Sequence, residues 1–149
     1  MRITRRLEFD AGHRIPNHDS RCRHLHGHRY ALEVTLTGEP IATRGDARQG
    51  MLMDFSEVRA IAQRELVDAW DHAFLAWRED RVVLEFLAQL PQHRTVVFDE
   101  PPTAEHLALA AFTVLERAYT SRYGNGLKLE RVRLYETPNC WADCDGASE

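Results

Sequence analysis

Apolar and polar side chains alternate along residues 2–13, with Ile3, Leu7, Phe9, Ala11 and His13 on one parity and Arg2, Thr4, Arg6, Glu8 and Asp10 on the other. A period of two with one apolar side is the mark of a half-buried strand. Residues 14–25 break the pattern with Pro16, Asn17, Asp19 and Ser20, which is loop chemistry. Alternation resumes at His26 and runs to about Thr37, placing Tyr30, Leu32, Val34 and Leu36 on the side of His26 and His28. Two one-sided strands joined by a long loop predict an antiparallel pair with that loop at one end.

The period then lengthens. Asp54 is placed to cap a helix, with Glu57 three residues on as a variant of the capping box. Phe55, Val58, Ile61, Ala62, Leu66 and Ala69 follow at helical spacing and carry it to about Trp70. Residues 71–78 show no usable period. A short helix is expected over 80–90 with Val83, Leu84, Leu87 and Leu90 inward, and a short strand at Thr95–Phe98. Pro101-Pro102-Thr103 opens a second long helix over 103–121, with Leu107, Ala110, Ala111, Val114, Leu115 and Ala118 as its buried stripe. Gly124-Asn125-Gly126 closes it. Strands are expected over 127–136 and from Asn139 to Ala142. No repeat or linker divides residues 1–149, so one domain is expected. Strands at both ends with helices between them make an α+β sandwich, helices on one face of an antiparallel sheet. Its open edges favour pairing with sister subunits.

Composition narrows the function. The 149 residues are 44% apolar and 28% charged, a globular balance, and the net charge of −4 offers no basic field for nucleic acid or an anionic membrane. The most apolar run, Leu107 to Leu115, is too short to span a bilayer, and no apolar segment follows the charged start Met1–Arg6, so neither a membrane span nor a signal peptide is expected. A cytoplasmic protein is the expectation, and three cysteines fit it better than a disulfide framework.

Five of the eight histidines fall within sixteen residues. His26 and His28 share a strand face, and His13 ends the neighbouring strand on its apolar parity. Such a trio describes a zinc site with three protein ligands and an open fourth position. Calcium and magnesium prefer oxygen, and iron(II) sites more often include a carboxylate. His18 and His24 lack strand support and read as loop residues. Cys22 lies among Arg21, Arg23 and His24, where positive neighbours favour thiolate; a metal ligand, a nucleophile and a base all remain open for it. Asp71-His72 is either a carboxylate orienting an imidazole or a solvated pair at a helix end. Glu136 shares the parity of Val132 and Leu134, so it points inward and needs partners, unless it is a strand-end residue in water. Cys140 and Cys144 read as ordinary thiols.

Taken together, Phe9-x-Ala11-x-His13, Cys22-x-x-x-His26-x-His28, Met53-Asp54-Phe55, Asp71-His72, Pro102-Thr103-x-Glu105 and Tyr135-Glu136-Thr137 resemble the family of 6-pyruvoyl- and 6-carboxytetrahydropterin synthases. The resemblance runs over nearly the whole chain. It implies a T-fold (tunnelling fold), with two main helices on one face of the sheet and three subunits closing a barrel. Two stacked trimers would then make a homohexamer. It implies Zn2+ on His13, His26 and His28, Cys22 as catalytic base, and Asp71 and His72 as proton-relay partners. Glu136 is implied as the anchor of a pterin substrate, with Thr103, Glu105 and Thr137 as secondary pocket residues. The three-residue gap between Cys22 and His26 is similar to the bacterial carboxy-forming enzymes of queuosine synthesis; pyruvoyl-forming enzymes have a longer gap. Residues 76–100 are longer than in compact members, and the tail from Pro138 to Glu149, with Trp141 and two cysteines, carries none of the motifs on which the resemblance rests.

Overall fold

The computed structural model describes residues 1–146; the last three residues of the tail lie outside the described residues. Strand β1 (Arg2–His13) pairs antiparallel with β2 (His26–Gly38) over their full length, and His13 stands opposite His26 in the register. That register follows from the alternation: a slip of one residue would move Leu7, Phe9 and Ala11 out of the core. β5 (Leu127–Thr137) pairs antiparallel with β2, and β6 (Cys140–Asp145) with β5.

Residues 71–78, which show no period, supply β3 (Phe74–Trp77), parallel to both β1 and β4 (Thr95–Phe98). The sheet order is β4-β3-β1-β2-β5-β6. The expected antiparallel sheet is therefore mixed. β3 is hidden from a periodicity reading because it is four residues long and its two central residues, Leu75 and Ala76, are both buried, as in interior parallel strands.

Two long helical stretches cover one face. The first is α1 (Phe55–Ala62), a π-helical turn Gln63–Val67, and α2 (Asp68–Trp70), which ends where expected. Asp54 caps α1 by accepting the N–H of Ser56 at 2.7 Å, without a return bond from the Glu57 side chain among the described hydrogen bonds. α3 (Arg81–Leu87) buries Val83 and Leu87 but stops before Leu90, which is exposed. α4 (Ala104–Tyr123) buries Leu107, Ala108, Ala111, Phe112, Leu115 and Tyr119. The stripe is turned away from the expected Val114 because the largest side chains, Phe112 and Tyr119, claim the core. The Tyr119 hydroxyl donates to the Val58 carbonyl at 2.9 Å and joins α4 to α1. α4 ends at Gly124, whose φ of +58° suits glycine.

Two irregularities in β5 set up the site. Glu130 is extra between the pairs Leu129–Leu36 and Arg131–Thr35, which transfers the inward parity from Leu127 and Leu129 to Val132 and Leu134. Glu136 is extra between Tyr135–Trp141 and Thr137–Cys140. Bulges re-aim side chains, and this one carries a carboxylate.

Candidate metal centre and active site

The antiparallel register brings the ends of β1 and β2 together, and the rings of His13, His26 and His28 converge with centroids 4.5, 4.9 and 5.1 Å apart. Gly27, between two of these histidines, lies where β1 and β2 approach closely: a Cβ there would stand 2.8 Å from the Ala11 carbonyl oxygen.

Two backbone carbonyls orient the rings. His13 Nδ1 donates to Pro102 O at 2.9 Å, and His26 Nδ1 to His24 O at 2.7 Å. A carbonyl only accepts, so both Nδ1 atoms carry a proton, and in the neutral ring of that tautomer the lone pair stands at Nε2. Those Nε2 atoms stand 3.1 Å apart. Two lone pairs at that distance repel unless a proton or cation lies between them. His28 Nε2 is buried and has no hydrogen-bond partner among the described residues. Burial, the largest cause, pushes His13 down to about 4 against the opposing Pro102 carbonyl, with His26 and His28 adding to the fall. Burial likewise lowers His28, opposed by Glu136. Neutral imidazoles with free Nε2 atoms are the form that ligates metal, and the donor set can hold a metal ion.

Glu136 points inward, as its parity predicts: its Oε1 lies 3.4 Å from His13 Nε2 and 3.9 Å from His28 Nε2. Cys22, half-buried, sits in a 3-10 turn (Arg21–Arg23) whose loop is tied back to the chain just after β1 by an Ile15 N–H to Cys22 O bond of 2.8 Å. Thr103 caps α4, its hydroxyl accepting the His106 N–H at 3.4 Å, and Glu105 is exposed in the first turn. Thr137 accepts the Asn139 N–H at 3.3 Å beside the bulge.

Asp71 and His72 form a separate cluster with Asp10. Asp71 accepts the Asp10 N–H at 3.0 Å through Oδ1 and meets His72 Nδ1 at 2.9 Å through Oδ2. The Asp10 N–H, then the His72 contact, hold the Asp71 carboxyl below the usual range despite some desolvation. His72 adopts φ +57° and donates its own N–H to Asp10 O at 2.7 Å. Arg94 fastens this turn, donating to Asp68 O at 2.8 Å and Asp71 O at 3.1 Å. Among the described residues, no hydrogen bond joins Cys22 to Asp71 or His72. A cleft of about 650 Å³ is lined by His26 and His28 together with Arg29, Phe74, His72 and His93.

Sequence reasoning missed the carbonyls of Pro102 and His24, and the Arg94 fastening. A backbone carbonyl leaves no trace in residue identity, and Arg94 acts across a long sequence separation.

Residues 2–147 match the family model described as 6-pyruvoyl tetrahydropterin synthase. The chain belongs to that family. A relative from Rickettsia felis named 6-carboxy-5,6,7,8-tetrahydropterin synthase is 32% identical over 145 residues, covering 96% of this chain and 99% of its own. One of the same name from Haemophilus influenzae is 28% identical over 145 residues, covering 96% and 97%. Among solved structures, an uncharacterized protein from Wolinella succinogenes superposes with a TM-score of 0.79 at 21% identity, covering 99% of this chain and 98% of its own. The 6-pyruvoyl tetrahydropterin synthase of Caenorhabditis elegans gives 0.64 at 21% identity, covering 99% and 96%. These likenesses establish the fold of the tetrahydropterin synthase family: a mixed six-stranded sheet with helices on one face.

Proposed function

We propose that the protein is a zinc-dependent 6-carboxy-5,6,7,8-tetrahydropterin synthase, converting 7,8-dihydroneopterin triphosphate and water to 6-carboxytetrahydropterin with release of acetaldehyde and triphosphate. The observation that carries the reading is the meeting of His13, His26 and His28 with unshared Nε2 lone pairs, in a chain whose relatives bear that enzyme name. When bound, zinc supplies Lewis acidity to the side-chain hydroxyls of the substrate. Cys22 removes a side-chain proton as thiolate, and His72, its tautomer set by Asp71, moves protons at the other face. Glu136 accepts two parallel N–H bonds from the pterin edge. Thr103, Glu105 and Thr137 complete the pocket, and Glu105 is the alternative ring anchor because Glu136 also faces the metal ligands.

The reaction belongs to queuosine synthesis in the cytoplasm, carried out by a homohexamer built as a dimer of trimers. The outer sides of β4 and β6, unpaired among the described residues, support an assembly in which a neighbour completes each site.

The test is product identification. Zinc-loaded protein given 7,8-dihydroneopterin triphosphate should form acetaldehyde, and Cys22→Ala should keep its zinc and lose turnover. A pyruvoyl product would make the protein a 6-pyruvoyl-tetrahydropterin synthase; a side-chain aldolase would yield a pterin alcohol. No turnover with zinc retained would leave a non-catalytic zinc-containing assembly module.

A further inference from the structure

Three consecutive residues at the end of β1 do three different jobs. His13 joins the imidazole cluster, Arg14 forms an ion pair, and Ile15 holds the turn that carries Cys22. The ion pair is two-pronged: Arg14 Nε and Nη2 donate to Asp80 Oδ2 and Oδ1, each at 2.6 Å. Both side chains are largely withdrawn from water, at 23% and 3% exposure. A planar guanidinium on a planar carboxylate fixes orientation as well as distance.

Asp80 also caps α3, but only through a long 3.5 Å bond from the Val83 N–H. Its carboxylate is thus aligned on Arg14 rather than on the helix. α3 rests on a small apolar cluster of its own, Ala76, Val83 and Leu87.

Beyond Arg14 the loop is internally tied. Ile15 N–H donates to Cys22 O at 2.8 Å, His18 N–H to Ile15 O at 3.1 Å, and His24 N–H to Arg21 O at 3.0 Å. Such a loop moves as a unit with its base. Whatever fixes the direction in which the chain leaves His13 therefore also fixes where the thiol stands.

We propose that the Arg14–Asp80 pair is a positioning device that holds the Cys22 turn against the His13/His26/His28 centre, with Asp80 and α3 as its fixed side. The proposal rests on the reading of Cys22 as the proton-abstracting thiol. It also gives the segment 76–100 a task. Neither Arg14 nor Asp80 touches substrate; both act through the loop.

The experiment compares Asp80→Asn and Arg14→Gln with Val83→Ala in the full-length, zinc-loaded protein. The Asp80→Asn change keeps a capping acceptor at the start of α3, and Arg14→Gln leaves Asp80 itself in place. Val83→Ala, by contrast, loosens α3 without touching the pair. Zinc content, kcat, KM and the rate of Cys22 alkylation by iodoacetamide, read by peptide mass spectrometry, are measured below each variant's melting transition. Both pair variants should keep their zinc and their KM, lose about 10- to 100-fold in kcat, and alkylate Cys22 severalfold faster. Val83→Ala should melt earlier with kcat and alkylation unchanged. Unchanged Cys22 alkylation and kcat in the pair variants overturns the proposal, as does an equal defect in Val83→Ala. If the wild-type protein turns over no pterin substrate, the functional reading fails while alkylation still decides the positioning claim.

Discussion

At the scale of residues, the centre is governed by where protons are not. Carbonyl acceptors at Pro102 and His24 pin the protons of His13 and His26 to Nδ1, so two lone pairs face each other at 3.1 Å. Without a metal this arrangement carries a cost that depends on pH. His13 is pushed from the ordinary value of 6.5 to about 4, so between those values the unfolded chain binds a proton that the folded, metal-free chain does not. The contribution of His13 to the stability of chelator-stripped protein should therefore be constant above about pH 7, fall as pH drops through this window, and level below it. The loss from this group is on the order of 3 kcal/mol. Denaturant titrations of stripped protein at about pH 7, 5.5 and 4 check this. A flat profile would mean that His13 is not buried in its neutral form.

At the scale of elements, two strand ends and one helix start build the centre. Gly27 lets β1 and β2 approach at the point where their histidines meet. Gly27→Ala should force the strands apart by the few tenths of an ångström its Cβ lacks at 2.8 Å from Ala11 O. The expected outcome is a loss of about 1–3 kcal/mol in stability and weaker zinc retention during dialysis against a chelator. Full zinc retention and an unchanged denaturation midpoint would show that the strand ends relax freely. β1, β2, α1, α4 and β5 are legible in the sequence because each keeps one face in the core over many residues. β3 is not, since a four-residue strand flanked by partners has no polar side to alternate with. Glu136 shows both sides of this: its inward parity is readable, but the bulge that turns it onto His13 depends on pairing with β6.

At the scale of the whole molecule, β4 and β6 stand at opposite edges of one sheet, each with an unpaired side among the described residues. Within one subunit, Asp71 and His72 cluster with Asp10, and no hydrogen bond among the described residues links them to Cys22. Assembly around these edges would bring a neighbour's pair to the thiol. Sedimentation at micromolar concentration should give about six times the 17.2 kDa subunit mass. A mixture of inactive Cys22→Ala and inactive His72→Ala subunits should regain activity on co-refolding. A monomer with full turnover would sink the shared-site reading.

Residue types and spacing alone carried the α+β class, the strand faces of His13, His26 and His28, and the inward aim of Glu136, because all of these follow from local periods of two and 3.6. Only the tertiary structure decided the parallel β3–β4 addition, the carbonyls that choose the histidine tautomers, the Arg14–Asp80 pair and the meeting of Asp10 with Asp71–His72. Each joins or parts groups far apart along the chain, and relations of that kind are set by packing and register, which no local pattern encodes.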